Sequence, residues 1–253
     1  MFPVFNMGYM DLMSKVDNIE LLGGMIRHLV TNRGKLDTVF DLKDGFRDTI
    51  WMKNCIERLR EDPESTKMFE ERYMGPEYEL DEMLKSPKGS LGYTYAFLMK
   101  TRGFEPHFYQ SRDRPSLDND TDYVTMRVRK THDMYHIVSG FNMAIGEIGV
   151  IPLNVTQYSY PAFMLIDLVA VGSACFPGLT SIINSEKIHS SAIFGTLSKG
   201  IKMAQECKPL FPVKFEELLE KPLDEVRKEL NITPLKEGPS WYQYPKIKEA
   251  GIY

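Results

Sequence analysis

The sequence predicts an all-α fold arranged as a single helical domain, and three observations carry this. Nearly every periodic segment repeats its apolar residues at three- and four-residue spacing, the period of an amphipathic helix. No stretch alternates apolar and polar residues over a strand's length, and no internal repeat appears. Helix-starting prolines and capping residues punctuate the chain at helix-length intervals.

Taken in order, residues 11–32 place Leu12, Val16, Ile19, Leu22, Met25, Ile26 and Leu29 on one helical face, with a kink at Gly23-Gly24. Residues 36–60 repeat the pattern with Val39, Phe46, Ile50, Ile56 and Leu59. Pro63 fits the first turn of a short helix to about residue 73, and residues 79–84 add one more turn. Ser90 is an N-cap for a helix to about residue 101. Residues 103–122 are polar and broken, which reads as a long surface connection. A central helix starts near Asp122 and stops at Gly140, glycine being the residue that accepts a left-handed helix end. Asn142 caps the next helix, which runs to about residue 157 and is disturbed by Pro152. Pro161 opens an apolar helix to residue 176, ended by Pro177-Gly178. Two more helices follow over 185–207 and 215–230, the last with Glu216, Glu217, Glu220, Lys221, Glu225 and Lys228 as a charged outer face. In this reading residues 1–85 form an N-terminal helical subregion, and 233–253 an irregular tail.

The 253 residues suffice for one large domain, and 43% hydrophobic with 26% charged residues is ordinary for a soluble protein. A net charge of −4 without a basic, aromatic-interleaved patch argues against nucleic acid as a partner. Cys55, Cys175 and Cys207 are odd in number and widely spaced, which suits reduced thiols. The most apolar run, 163–176, is broken by Asp167 and too short to span a bilayer, so no transmembrane helix is expected. The N-terminus lacks the pattern of a targeting peptide.

The chemistry concentrates between Arg127 and Glu147. Two of the five histidines, His132 and His136, are four residues apart and so share a helix face. Asp133 lies about a hundred degrees further round. The corner at Gly140 turns the next helix back, and Glu147 then falls at the height of His136 as a fourth ligand. Two histidines and two carboxylates suit zinc, iron(II) or manganese, with magnesium admissible. A bare His-Asp-x-x-His could equally be a solvated stripe. Its apolar surroundings, among them Tyr135, Ile137, Val138, Phe141 and Ile145, favour ligation, because ionisable groups so placed are normally paired. Arg129 shares the face of His132 and Asp133, where it either pairs with Asp133 or grips an anionic headgroup. Arg127 points elsewhere and reads as a surface or structural residue.

These residues resemble the coenzyme Q biosynthesis protein 4 family over about 86–232. The strongest match is Tyr123-Val124, Arg127, Arg129, His132, Asp133 and His136, followed by Gly146-Glu147. Pro87/Gly89-Ser90-Leu91-Gly92 matches a second motif, and Phe215-Glu216, Leu223, Arg227 and 229–232 a third. The resemblance implies that His132, Asp133, His136 and Glu147 ligate a divalent metal, zinc, iron or magnesium. One departure is the gap from His136 to Glu147, one residue shorter than the family's; we place the deletion in the Gly140 corner. The resemblance further implies ubiquinone-like synthesis, with a polyprenyl-tailed intermediate in an apolar groove. Arg129 would then hold the headgroup, and Phe141, Ile145, Phe163 and Met164 the tail. Gly140, Gly146, Gly149 and Gly172 either make room for that tail or allow close helix packing. The implied roles are oxidative decarboxylation of the ring or a non-catalytic lipid-binding scaffold for other quinone-synthesis proteins. Peripheral contact on the cytoplasmic side of a membrane is expected, and a homodimer is open. A rival reading, an HD-type phosphohydrolase, uses His107, His132-Asp133 and Asp167, but leaves His136 and Glu147 without a role.

Overall fold

The computed structural model describes residues 45–107, 117–175, 190–238 and 240–241, with positions 23, 24, 26, 27 and 31 ahead of them. Most of the helix expected over 11–32 lies outside the described residues. Those described form nine α-helices and no strand. They are α1 (Ile50–Arg60), α2 (Pro63–Glu71), α3 (Leu80–Met83), α4 (Leu91–Arg102), α5 (Asp120–Ser139), α6 (Glu147–Tyr158), α7 (Pro161–Cys175), α8 (Ser190–Glu206) and α9 (Leu223–Glu229). A 3₁₀ turn, Phe215–Glu217, precedes α9.

Side-chain caps set most helix starts. Asp62 Oδ2 accepts from the Ser65 amide at 2.8 Å, with Pro63 at the first helical position of α2. Ser90 Oγ accepts from the Tyr93 amide at 3.2 Å to start α4 as expected. Asn119 Oδ1 accepts from the Asp122 amide at 2.9 Å and starts α5 at Asp120, slightly before the expected position. Thr49 caps α1, and the helix expected over 36–60 is interrupted at 47–49: residues 45 and 46 are helical, and 36–44 lie outside those described. The helix expected over 215–230 is two pieces. Pro222 bars its predecessor from helical geometry, and α9 starts only at Leu223.

Helix α5 runs through both hydrophobic clusters. Its early residues Tyr123, Val124 and Val128 pack with Phe69, Tyr158 and Phe211. Its later residues Met134, Tyr135, Ile137 and Val138 pack with Tyr95, Leu98, Leu153 and Phe215. Two of the motifs are stitched together through backbone: the amides of Leu91 and Gly92 donate to the carbonyls of Lys221 and Leu219 at 2.9 and 2.7 Å.

The chain's middle charges are internal, which corrects one expectation and decides another. Glu216 does not belong to a charged outer face; its side chain is fully buried and accepts from Arg127 Nη1 at 2.7 Å and from the Tyr78 hydroxyl at 2.8 Å. Arg127 is 1% exposed and so structural, not a surface residue. Lys130 joins them, donating to the carbonyls of Met74 and Pro76 at 2.6 and 2.7 Å. The 3₁₀ turn, not the helix period, decides where Glu216 points.

Candidate metal centre

The site sits where the end of α5 faces the start of α6. Gly140 ends α5 at φ 79°, and a side chain there would lie 2.5 Å from the Leu235 carbonyl oxygen. Asn142 does not cap a helix starting at once. Its Oδ1 accepts from the amides of Ala144 and Gly146, both at 3.0 Å, and holds a loop. Its own amide donates to the Ser240 carbonyl at 2.7 Å, which pins the loop to the C-terminal segment. Helix α6 therefore begins at Glu147. Gly146 lies so close to Asn142 that a Cβ would meet its carbonyl oxygen at 2.1 Å.

This loop delivers Glu147 to both histidines. Its Oε2 lies 3.3 Å from His132 Nε2, and its Oε1 lies 3.1 Å from His136 Nε2. The other ring nitrogens are held from behind. His136 Nδ1 is 3.2 Å from the Phe141 carbonyl oxygen, and His132 Nδ1 is 3.3 Å from Asp133 Oδ1. The two rings stand 5.0 Å apart at 74°. His136 is fully buried, whereas the Glu147 side chain is 40% exposed, so the cluster opens to solvent on the Glu147 side.

The charges follow from this packing. Burial disfavours a charged His132 ring, but the Glu147 charge and the contacts with Asp133 and Glu147 outweigh it and raise the pKa to about 10. Burial acts the opposite way on Glu147, and the two histidines overcome it and hold the carboxyl well below the usual carboxylate range.

Two observations test whether a divalent ion fits. First, ligand atoms of His132, Asp133 and His136 lie within 4.8 Å of one another, a spacing one ion can bridge. Second, His136 Nε2 is buried, and its one near polar neighbour among the described residues is the Glu147 carboxylate at 3.1 Å. The Phe141 carbonyl can only accept, so it orients the His136 ring with Nε2 toward the Glu147 carboxylate. The backing of each Nδ1 by an oxygen is the arrangement that orients metal-binding histidines. The donor set fits a divalent ion.

The remaining expected residues are spread more widely. Arg129 is partly buried on α5, with Nη1 at 3.8 Å from Met126 Sδ. Phe163 is 7% exposed and packs edge-on against His132 at 5.3 Å. Phe141 is fully buried under Gly149, where a Cβ would meet its ring at 2.3 Å. Ile145 is half-buried in the loop, and Met164 is 45% exposed on the outer side of α7. Gly140, Gly146 and Gly149 serve close packing; only beside Gly172, of the four, is there open space. His107 lies 3.5 Å and 3.8 Å from Glu77 and Glu79, so the phosphohydrolase reading loses its first ligand to a separate ion-pair group.

Asp167 is the site neighbour that pattern reading undervalued. It is 9% exposed, and its Oδ1 meets no hydrogen-bond donor. Burial first and the Glu147 charge second push its carboxyl up to about 8. The available signal was one acid inside an apolar run, four residues after Phe163.

The comparisons with known proteins concern this same region. The family model described as coenzyme Q (ubiquinone) biosynthesis protein Coq4 matches residues 37–236. Mitochondrial ubiquinone biosynthesis protein COQ4 of Zygosaccharomyces rouxii is 32% identical over 159 residues, covering 62% of this chain and 44% of the relative. The Vanderwaltozyma polyspora protein of the same name is 30% identical, covering 62% and 43%. The chain thus spans less than half the length of the curated relatives it matches. A crystal structure from Nostoc punctiforme, of a protein assigned to ubiquinone biosynthesis, superposes with TM-score 0.72 at 25% identity, covering 85% of this chain and 99% of that one.

Proposed function

Because this chain belongs to the Coq4 family of coenzyme Q (ubiquinone) biosynthesis proteins, we propose that it holds a divalent metal and a polyprenyl-tailed quinone precursor and acts on the precursor's ring. The observation that carries the reading is the convergence of His132 Nε2 and His136 Nε2 on the one carboxylate of Glu147, at 3.3 and 3.1 Å. His132, His136 and Glu147 hold the ion in this proposal, and Asp133 either joins them or fixes the His132 ring.

A bound iron(II), zinc or magnesium ion supplies Lewis acidity toward an anionic oxygen of the ring, and iron(II) adds the capacity for dioxygen chemistry. The protein's own groups do the rest. Phe141, through its carbonyl, keeps His136 in one tautomer. Phe163 covers the His132 ring and keeps water from that side. Arg129, on the same α5 face, meets the acidic headgroup. The reaction assigned here replaces the ring carboxylate with a hydroxyl: carbon dioxide leaves, one oxygen atom of dioxygen enters the ring, and the other leaves as water with two electrons and two protons from an external donor.

A prenyl tail ties such a protein to lipid. No described helix is long and apolar enough to cross a membrane. Met164 and Leu168, 45% and 59% exposed and one turn apart on α7, support contact at the membrane surface.

The experiment is turnover of a prenylated hydroxybenzoate by metal-loaded protein under ¹⁸O₂, with an electron donor supplied. Carbon dioxide release with ¹⁸O in the product hydroxyl supports the enzyme. Tight binding of the same compound without turnover supports the scaffold, and neither binding nor turnover overturns the reading.

A further inference from the structure

We propose that Asp167, on α7, is a further carboxylate donor of the metal centre, closing it from the side opposite α5. The inference rests on the metal reading above and extends it by one residue.

The case begins with burial. A carboxyl removed from water stays charged only beside donors or a cation, and otherwise takes up a proton. Asp167 is 9% exposed, and its Oδ1 has no donor. Among the described residues the one charge that acts on it is that of Glu147, itself negative. Two neighbouring carboxylates keep both charges only when something positive lies between them.

The helix geometry points the same way. Phe163 and Asp167 are four apart on α7 and share a face. Phe163 on that face packs against the metal-facing residue His132 at 5.3 Å. The outward face is different and apolar, with Met164 and Leu168 exposed. Asp167 therefore sits on the inward side of α7, in an otherwise apolar helix that has no structural use for an acid.

A purely structural aspartate makes hydrogen bonds to backbone or side chains, and Asp167 Oδ1 makes none. With Asp167 as a third carboxylate beside Asp133 and Glu147, the donor set favours oxygen-preferring manganese(II) or iron(II) over zinc.

The test measures thermal stability of full-length protein, stripped with a chelator and then titrated with manganese(II). Wild type should gain melting temperature with metal, since an ion that binds only the folded state stabilises it. Asp167→Asn keeps the shape and cannot become an anionic donor. Without metal it should melt no lower than wild type, because the amide fills the space of the protonated carboxyl that burial favours. With metal its affinity should fall about 10- to 100-fold, the range seen when a group supporting a metal site is lost. A structural aspartate would show the opposite sign, with lower metal-free stability and an unchanged metal response. Asp167→Ala is measured in parallel, and failure of both variants to fold without metal overturns the inference. Equal manganese affinity in wild type and Asp167→Asn also overturns it. If wild type itself shows no metal response, or His132→Ala responds as wild type does, the metal reading fails first.

Discussion

The Arg127 guanidinium meets the Glu216 carboxylate at 2.7 Å with 1% and 0% of the two side chains exposed. Arg127 lies on the helix that carries the histidines, so this pair locks α5 against the 3₁₀ turn. Breaking a buried pair strands the other charge, at a cost of about 3–5 kcal/mol. Glu216→Ala should lose that much in urea unfolding, whereas Arg127→Met with Glu216→Leu should lose much less. Equal losses from the single and double variants would contradict the account.

Two glycines on α8 should respond in opposite directions. A Cβ on Gly200 would lie 2.2 Å from the Gly149 carbonyl oxygen of α6, a backbone atom with no room to move. Gly200→Ala should therefore destabilise by about 1–3 kcal/mol, the range for overpacking. A Cβ on Gly195 meets nothing within 4 Å. Gly195→Ala should stabilise by about 0.5–1 kcal/mol through helix propensity. Thermal melts of the two variants decide whether α6 and α8 cross as closely as described.

The first residue of α5 makes stability depend on acid. Asp120 pairs with Arg60 and Arg72, both at 2.7 Å. Burial tends to raise its carboxyl pKa, but the hydrogen bonds and charges of Arg60 and Arg72 bring it below the ordinary value. With a lowered folded pKa, the stabilisation is complete above the unfolded value of about 3.9 and is lost as pH falls through the folded one. All three side chains are partly exposed, so the effect should be about 1 kcal/mol at most. Asp120→Asn should be less stable than wild type at pH 7, and the gap should close as the pH falls through the lowered Asp120 pKa. A gap that persists below that pKa would assign the cost to something other than charge.

Much of the fold was readable because helices announce themselves locally. Pro63 with Asp62, Ser90, Gly103 and Gly140 act within a few residues of the ends they set, and each fell within a residue or two of expectation. Glu216 was unreadable for the opposite reason. Its burial depends on Arg127, 89 residues away, and on a turn that Pro222 keeps from becoming helix. The histidines were legible from a spacing of four, and Glu147 was legible only as a partner across a corner. The corner itself differed: Asn142 holds a loop where a helix cap was expected, because its side chain bonds within the loop. Asp167 was hardest to weigh, since one acid in an apolar run does not say what it faces.

The central claim is that one cation sits between His132 Nε2, His136 Nε2 and Glu147. Crystals of the manganese- or zinc-loaded protein, measured at that metal's absorption edge, test it most directly. The account expects a single anomalous peak about 2.0–2.3 Å from both Nε2 atoms, and none in crystals of His136→Ala. A loaded crystal with no peak there, and with Glu147 still lying against both imidazoles, would contradict it.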